Sequence, residues 1–136
     1  MDTWDELYLA AKKECGLREA SEYVSSHKKV CAIQSASGKI YTGFSIESKS
    51  GVMDLCAERV AALRMYADSG ETVISNIMIF SDRPPLDRPE NYPCGACLDF
   101  LMQLSPKNAN TNIMVSYEPK KGVRVGSLLP NWRGKK

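Results

Sequence analysis

Long apolar runs are missing from this 136-residue sequence. None approaches the roughly 20 residues that a membrane-spanning helix needs. The opening residues Met1-Asp2-Thr3-Trp4-Asp5-Glu6 lack the basic start and apolar centre of a secretion signal. An even cysteine count is missing too. Five cysteines cannot all pair, which argues against a secreted disulfide scaffold. A reducing, cytoplasmic setting is therefore expected, with no membrane partner, and there thiols are free to bind metal. Strong net charge is absent: the formal value is +2, with both signs well mixed. No basic stripe supports nucleic-acid binding, and Arg133-Gly134-Lys135-Lys136 reads as a short solvated tail. Histidine occurs once, at His27, with nothing paired to it. No internal repeat or linker divides the chain, so residues 1–136 read as one domain able to bury a core without covalent staples.

The hydrophobic pattern then places the elements. Trp4, Leu7, Tyr8 and Ala11 recur at helical spacing, which predicts a helix over 2–15 stopped by Gly16. A short second helix is expected over 17–25. Val30, Ala32 and Ile33 mark a strand over 29–35, and a turn at 36–38 joins it to a partner strand over 39–46. A polar loop covers 47–54. Val60, Leu63 and Ala67 predict a helix from 55 to 68, ended by Ser69-Gly70. Residues 73–81 are β-branched and apolar, as in a buried strand. A loop rich in proline and charge follows from Asp82 to Tyr92. The next helix is expected from Pro93, a favourable first helical residue, to Leu104. Two strands, 112–117 and 123–125, precede a closing turn over 127–130. Five strands in a mixed sheet with helices on both faces make a three-layer α/β/α sandwich.

Two short motifs carry the chemistry. Cys56-Ala57-Glu58-Arg59 and Pro93-Cys94-Gly95-Ala96-Cys97 each follow a loop and enter a helix. Should the two helices lie side by side, their starts face one point. Three thiolates there suit zinc, and a catalytic zinc keeps one of its four positions open. A helix N-terminus favours deprotonated cysteine. Arg59 offsets the excess negative charge of three thiolates. Glu58, beside a ligand without being one, is placed for general acid/base work.

Taken together, these motifs closely resemble the zinc-dependent cytidine deaminase family, in its three-cysteine form. The signature of zinc deaminases pairs H-x-E with P-C-x-x-C and a non-ligand glutamate; here cysteine replaces the histidine. Gly38-Lys39-Ile40-Tyr41-Thr42-Gly43, Ile46-Glu47 and Leu128-Leu129-Pro130 extend the likeness over residues 30 to 130. The resemblance implies hydrolytic deamination of a cytosine-type nucleoside or related base. It makes Cys56, Cys94 and Cys97 the zinc ligands and Glu58 the proton carrier. It also places Ser45, Glu47, Ala57 and Pro93 at the substrate. Small members of the family are usually homotetramers.

The chain departs from the family around the substrate. Ser45 stands where the family has asparagine in Asn-x-Glu. The phenylalanine usual before the first strand is absent, with His27 near its place. Leu98-Asp99 replaces Arg-Gln after the second motif. Blasticidin S deaminases relax the same sugar-reading residues, so a modified nucleoside stays open as substrate. A non-catalytic zinc or ligand-binding module, and a redox pair at Cys94 and Cys97, remain as other readings. A structural zinc would want a fourth protein ligand, yet Cys31 reads as core and Cys15 as the end of the first helix. Trp4 and Tyr8 read as core or interface. Tyr92 and Trp132 are aromatic candidates for a ligand contact.

Overall fold

The computed structural model of the chain describes residues 2–81 and 85–129, without the side chain of Glu90. The basic tail, Trp132, Pro130 and the Asp82–Pro84 start of the charged loop lie outside these residues. Helix α1 spans Thr3–Glu14. Its Asp2 cap accepts from the Asp5 amide, with Asp5 and Glu6 in the first turn and Lys12 and Lys13 in the last. That charge order complements the helix dipole.

The sheet follows from period-two alternation. Strands β2 (Val24–Ser35) and β3 (Ile40–Ser48) form the expected hairpin, and β2 also pairs antiparallel with β4 (Ile74–Phe80). Strand β4 runs parallel to β5 (Asn112–Ser116), which pairs antiparallel with β6 (Lys121–Arg124). Val30, Ala32, Met78, Phe80 and Met114 turn to one face and pack with Leu7 and Ala11 of α1. Their sequence neighbours Cys31, Ile33, Ile77, Ile79, Ile113 and Val115 turn to the other face. There they meet Ala57, Ala61, Ala62 and Met65 of α2 (Ala57–Ser69) and Leu98, Leu101 and Met102 of α3 (Gly95–Leu104). The result is three layers, with α1 on one face and α2 and α3 on the other.

Three expectations need correction. Residues 17–25 are not helical: a two-residue strand β1 (Arg18–Glu19) pairs with Ser25 and Ser26 of β2. Leu17 and Tyr23 stay exposed there, so the segment has no apolar face to bury as a helix, and its backbone bonds to the sheet instead. This gives the sheet six strands rather than five. Pro93 is not the first helical residue either, because α3 begins at Gly95 with Cys94 as its cap. The closing helix α4 starts earlier than expected, at Val125–Leu128, where buried Val125 docks on the core.

Two contacts fix the helices that carry the motifs. Gly43 on β3 touches α2 so closely that an added Cβ would sit 2.3 Å from both Ala57 O and Ala61 N. Buried Asn108 accepts from the Ile74 amide at 2.8 Å and donates to Leu101 O at 2.9 Å. It thereby ties the end of α3 to the start of β4. We expect Gly43→Ala to push α2 off the sheet and to cost about 2–3 kcal/mol, as overpacking does. Urea unfolding should show this as a lower midpoint with an unchanged slope.

Candidate active site

Cys56 and Cys94 cap α2 and α3, and Cys97 lies in the first turn of α3. Because both helices pack on the same sheet face, the two caps meet. The Sγ atoms of Cys56 and Cys94 are 3.7 Å apart, and those of Cys94 and Cys97 are 3.4 Å apart. All three lie within 4.8 Å of one another. Tetrahedral zinc with sulfur at about 2.3 Å would hold its sulfurs about 3.8 Å apart. The trio therefore fits zinc with little movement. Among the described residues no fourth histidine, cysteine or carboxylate joins the cluster, so a tetrahedral metal held there would keep one position free of protein ligands.

The surroundings favour thiolate unevenly. Burial raises the Cys94 pKa, but the backbone amides of Cys97 and Ala96 and the neighbouring thiols outweigh it, and the net shift is downward. Burial pushes the deeper Cys97 thiol up, and Glu58 adds to this. Arg59 Nη2 lies 3.7 Å from Cys56 Sγ, a contact that raises the Arg59 pKa. Its Nε is buried without a partner. Metal-bound thiolates would give that cation its counter-charge, a second sign that the donor set suits a divalent metal.

Glu58 is 5% exposed and lies close to the Cys97 thiol. Burial raises its pKa; the Cys97 contact and the charges of Lys29 and Arg59 pull the other way. A carboxyl held this way can take up and release a proton next to the sulfurs. Behind it Cys31 is fully buried, and burial keeps its thiol protonated, in keeping with a core role.

A cavity of about 410 Å³ opens onto this centre. Ser45 and Glu47 follow Gly43 at period two along β3, and both line it. Ser45 Oγ accepts from the Lys29 amide at 3.0 Å; Glu47 is exposed at the rim. Ala57 lines the cavity from the start of α2, whereas Pro93 is buried and outside the lining. Lys28, Lys29 and Asp54 also line it, and nothing in the hydrophobic pattern pointed to them. A bulge delivers the two lysines. The register of β2 shifts between Ser26 and Val30, and His27 sits there at φ +66°. His27 is buried, stacked on Phe44 at 4.3 Å, with Nδ1 2.7 Å from Ser26 Oγ. Bulges near active sites re-aim side chains in this way.

Three converging thiols with an open side, a buried carboxyl against them and a cavity in front belong to a zinc-dependent hydrolase that acts on carbon–nitrogen bonds. Residues 3–113 match the family described as "Cytidine and deoxycytidylate deaminase zinc-binding region", and the chain belongs to that family. A cytidine deaminase from Halalkalibacterium halodurans is 26% identical over 93 residues, covering 68% of this chain and 67% of the relative. One from Mycoplasma pneumoniae is 33% identical over 69 residues, or 51% and 50% of the two chains. The crystal structure of cytidine deaminase from Mycobacterium leprae shares the fold, with a TM-score of 0.73 and 23% identity over 96% of this chain and 100% of that one. The Mycobacterium tuberculosis enzyme superposes with a TM-score of 0.70 at 19% identity, covering 96% and 97%. Among the described residues no helix is long and apolar enough to cross a membrane.

Thiols must lose their protons to bind zinc. We expect zinc uptake by the metal-free protein to acidify a weakly buffered solution. Protons compete for the same sulfurs, so affinity should fall as pH falls. A chelator competition series across pH checks both.

Proposed function

We propose that this enzyme removes the exocyclic amino group of a cytosine-type nucleoside by hydrolysis. The carrying observation is the buried Glu58 carboxyl set against the Cys56, Cys94 and Cys97 sulfurs at the inner end of the cavity. Those three cysteines would hold zinc, which supplies a Lewis acid that makes water a nucleophile at neutral pH. Glu58 takes the two protons of the attacking water in turn, passing one to the ring nitrogen and the other to the departing amine. In balance, water adds its oxygen at the amine-bearing carbon, the carbon–nitrogen bond breaks, and ammonia leaves. Arg59, against Cys56, offsets the charge of the thiolates. Ala57 shapes the floor, and Pro93 acts from behind by fixing the approach to Cys94. Glu47 and Ser45 are placed for sugar hydroxyls, with the Ser45 O–H still able to donate while its oxygen accepts from Lys29.

One observation favours a modified nucleoside, such as a compound of blasticidin S type, as the second reading. Lys28, Lys29, Glu47 and Asp54 put charges of both signs on the cavity lining, which suits a substrate with charged substituents.

Self-assembly, with a homotetramer favoured, is part of the same proposal. Phe44, Ile46, Met53, Leu55, Val60 and Leu63 line an apolar groove between β3 and α2, with Met53 46% and Leu63 47% exposed. A second copy would cover it. Residues 1–136 would act as one domain, in a cytoplasm that keeps the five cysteines reduced. Sedimentation at equilibrium should give a species larger than one chain, and a pure monomer at micromolar concentration would contradict it.

Ammonia release is to be measured on cytidine, deoxycytidine and blasticidin S. Glu58→Gln should lose about 10²–10⁴ in turnover while keeping its zinc. Parental turnover in that variant would remove the proposed proton carrier.

A further inference from the structure

The segment leading into Cys94 is anchored from several sides. Leu86 bridges to Ser116, the Asp87 amide donates to Val115 O at 2.6 Å, and the Tyr117 amide donates to Pro85 O at 2.7 Å. Buried Asn91 accepts from the Leu86 amide and donates to Ile79 O. Asp87 takes a left-handed backbone, φ +56°, which aspartate tolerates better than most residues. That turn aims its carboxylate at two partners. Tyr92 donates its hydroxyl to Asp87 Oδ1 at 2.5 Å, and Lys121 Nζ lies 2.6 Å from Oδ2.

Tyr92 lines the cavity together with Cys94 and also packs on the core. It is the sole aromatic residue among the described residues that line this cavity. His27 and Phe44 stack on each other and stay out of the lining. The Tyr92 hydroxyl donates to one Asp87 oxygen while Lys121 holds the other, so the ring is tied at its hydroxyl from a fixed direction. A ring pinned at its hydroxyl loses little freedom when something binds against it.

We propose that Tyr92 contacts the substrate, its ring serving as a fixed face for the planar base, and that Asp87, held by Lys121, is the positioning residue that sets the ring. This rests on the deaminase reading above. Base–aromatic contact is worth about fivefold or more in affinity, and binding shared equally by ground and transition states appears in KM rather than kcat.

Steady-state kinetics on cytidine with zinc-loaded protein tests it. Tyr92→Leu should raise KM by at least about fivefold, with kcat changing less and zinc content held. Tyr92→Phe, which keeps the ring, should stay much closer to the unmodified chain. Asp87→Ala should raise KM in the unmodified background and do little once Tyr92 is leucine, because coupled residues are not additive. A zinc-loaded Tyr92→Leu with unchanged KM overturns the contact. An Asp87→Ala effect of equal size in both backgrounds overturns the positioning role. Should the unmodified chain release no ammonia from cytidine, deoxycytidine or blasticidin S, the deaminase reading falls and this proposal with it. Activity in the unmodified chain with an indifferent Tyr92→Leu sinks the Tyr92 proposal alone.

Discussion

Everything functional in this chain depends on two helices starting at the same place. A helix N-terminus leaves amides unpaired and carries positive potential. Bringing two such ends together would be wasteful unless negative charge sat between them. As ligands of a metal, the sulfurs of Cys56, Cys94 and Cys97 would supply it, and Arg59 adds a further cation against Cys56. The packing that enforces the meeting is ordinary: alternate residues of β2, β4 and β5 bury one face against α2 and α3. The closest approach, at Gly43, lets α2 lie nearly on the backbone of β3. A side chain there would separate the caps by displacing one helix.

The same strand geometry feeds the substrate side. Gly43, Ser45 and Glu47 lie at alternate positions on β3, so the residue that admits α2 and the two that line the cavity share a face. The β2 bulge at His27 breaks the alternation opposite them and brings Lys28 and Lys29 to the cavity. The metal end of the site is thus built by regular packing, whereas the substrate end is built by an irregularity.

Legibility in the sequence followed the same division. Helical and strand periodicity found α1, the hairpin, β4 and α3, because each buries a regular face. Helix α2 was found through Val60, Leu63 and Ala67, which line the outer groove; the face it buries is Ala57, Ala61, Ala62 and Met65, mostly small residues that carry little hydrophobic signal. Cysteine spacing found the metal cluster, because helix entry after a loop is a local signal. Residues 17–25 misled because a weak helical pattern with exposed Leu17 and Tyr23 had no core to face. The pairing of β1 with Ser25 and Ser26 is local, but Arg18 and Glu19 are both exposed and give no apolar alternation to announce a strand. Lys28, Lys29 and Asp54 were invisible for a related reason: their place depends on a left-handed His27 and on a loop closed by the Ile46–Leu55 bridge. The tie from Tyr92 through Asp87 to Lys121 includes a contact across 34 positions, between Asp87 and Lys121, and could be seen only in three dimensions.

X-ray absorption at the zinc edge on the purified, zinc-loaded protein addresses the metal centre directly. The expected spectrum has three sulfur neighbours at about 2.3 Å and one lighter oxygen or nitrogen neighbour. Four sulfurs, or a metal with no sulfur around it, would contradict a cluster that keeps an open position for chemistry.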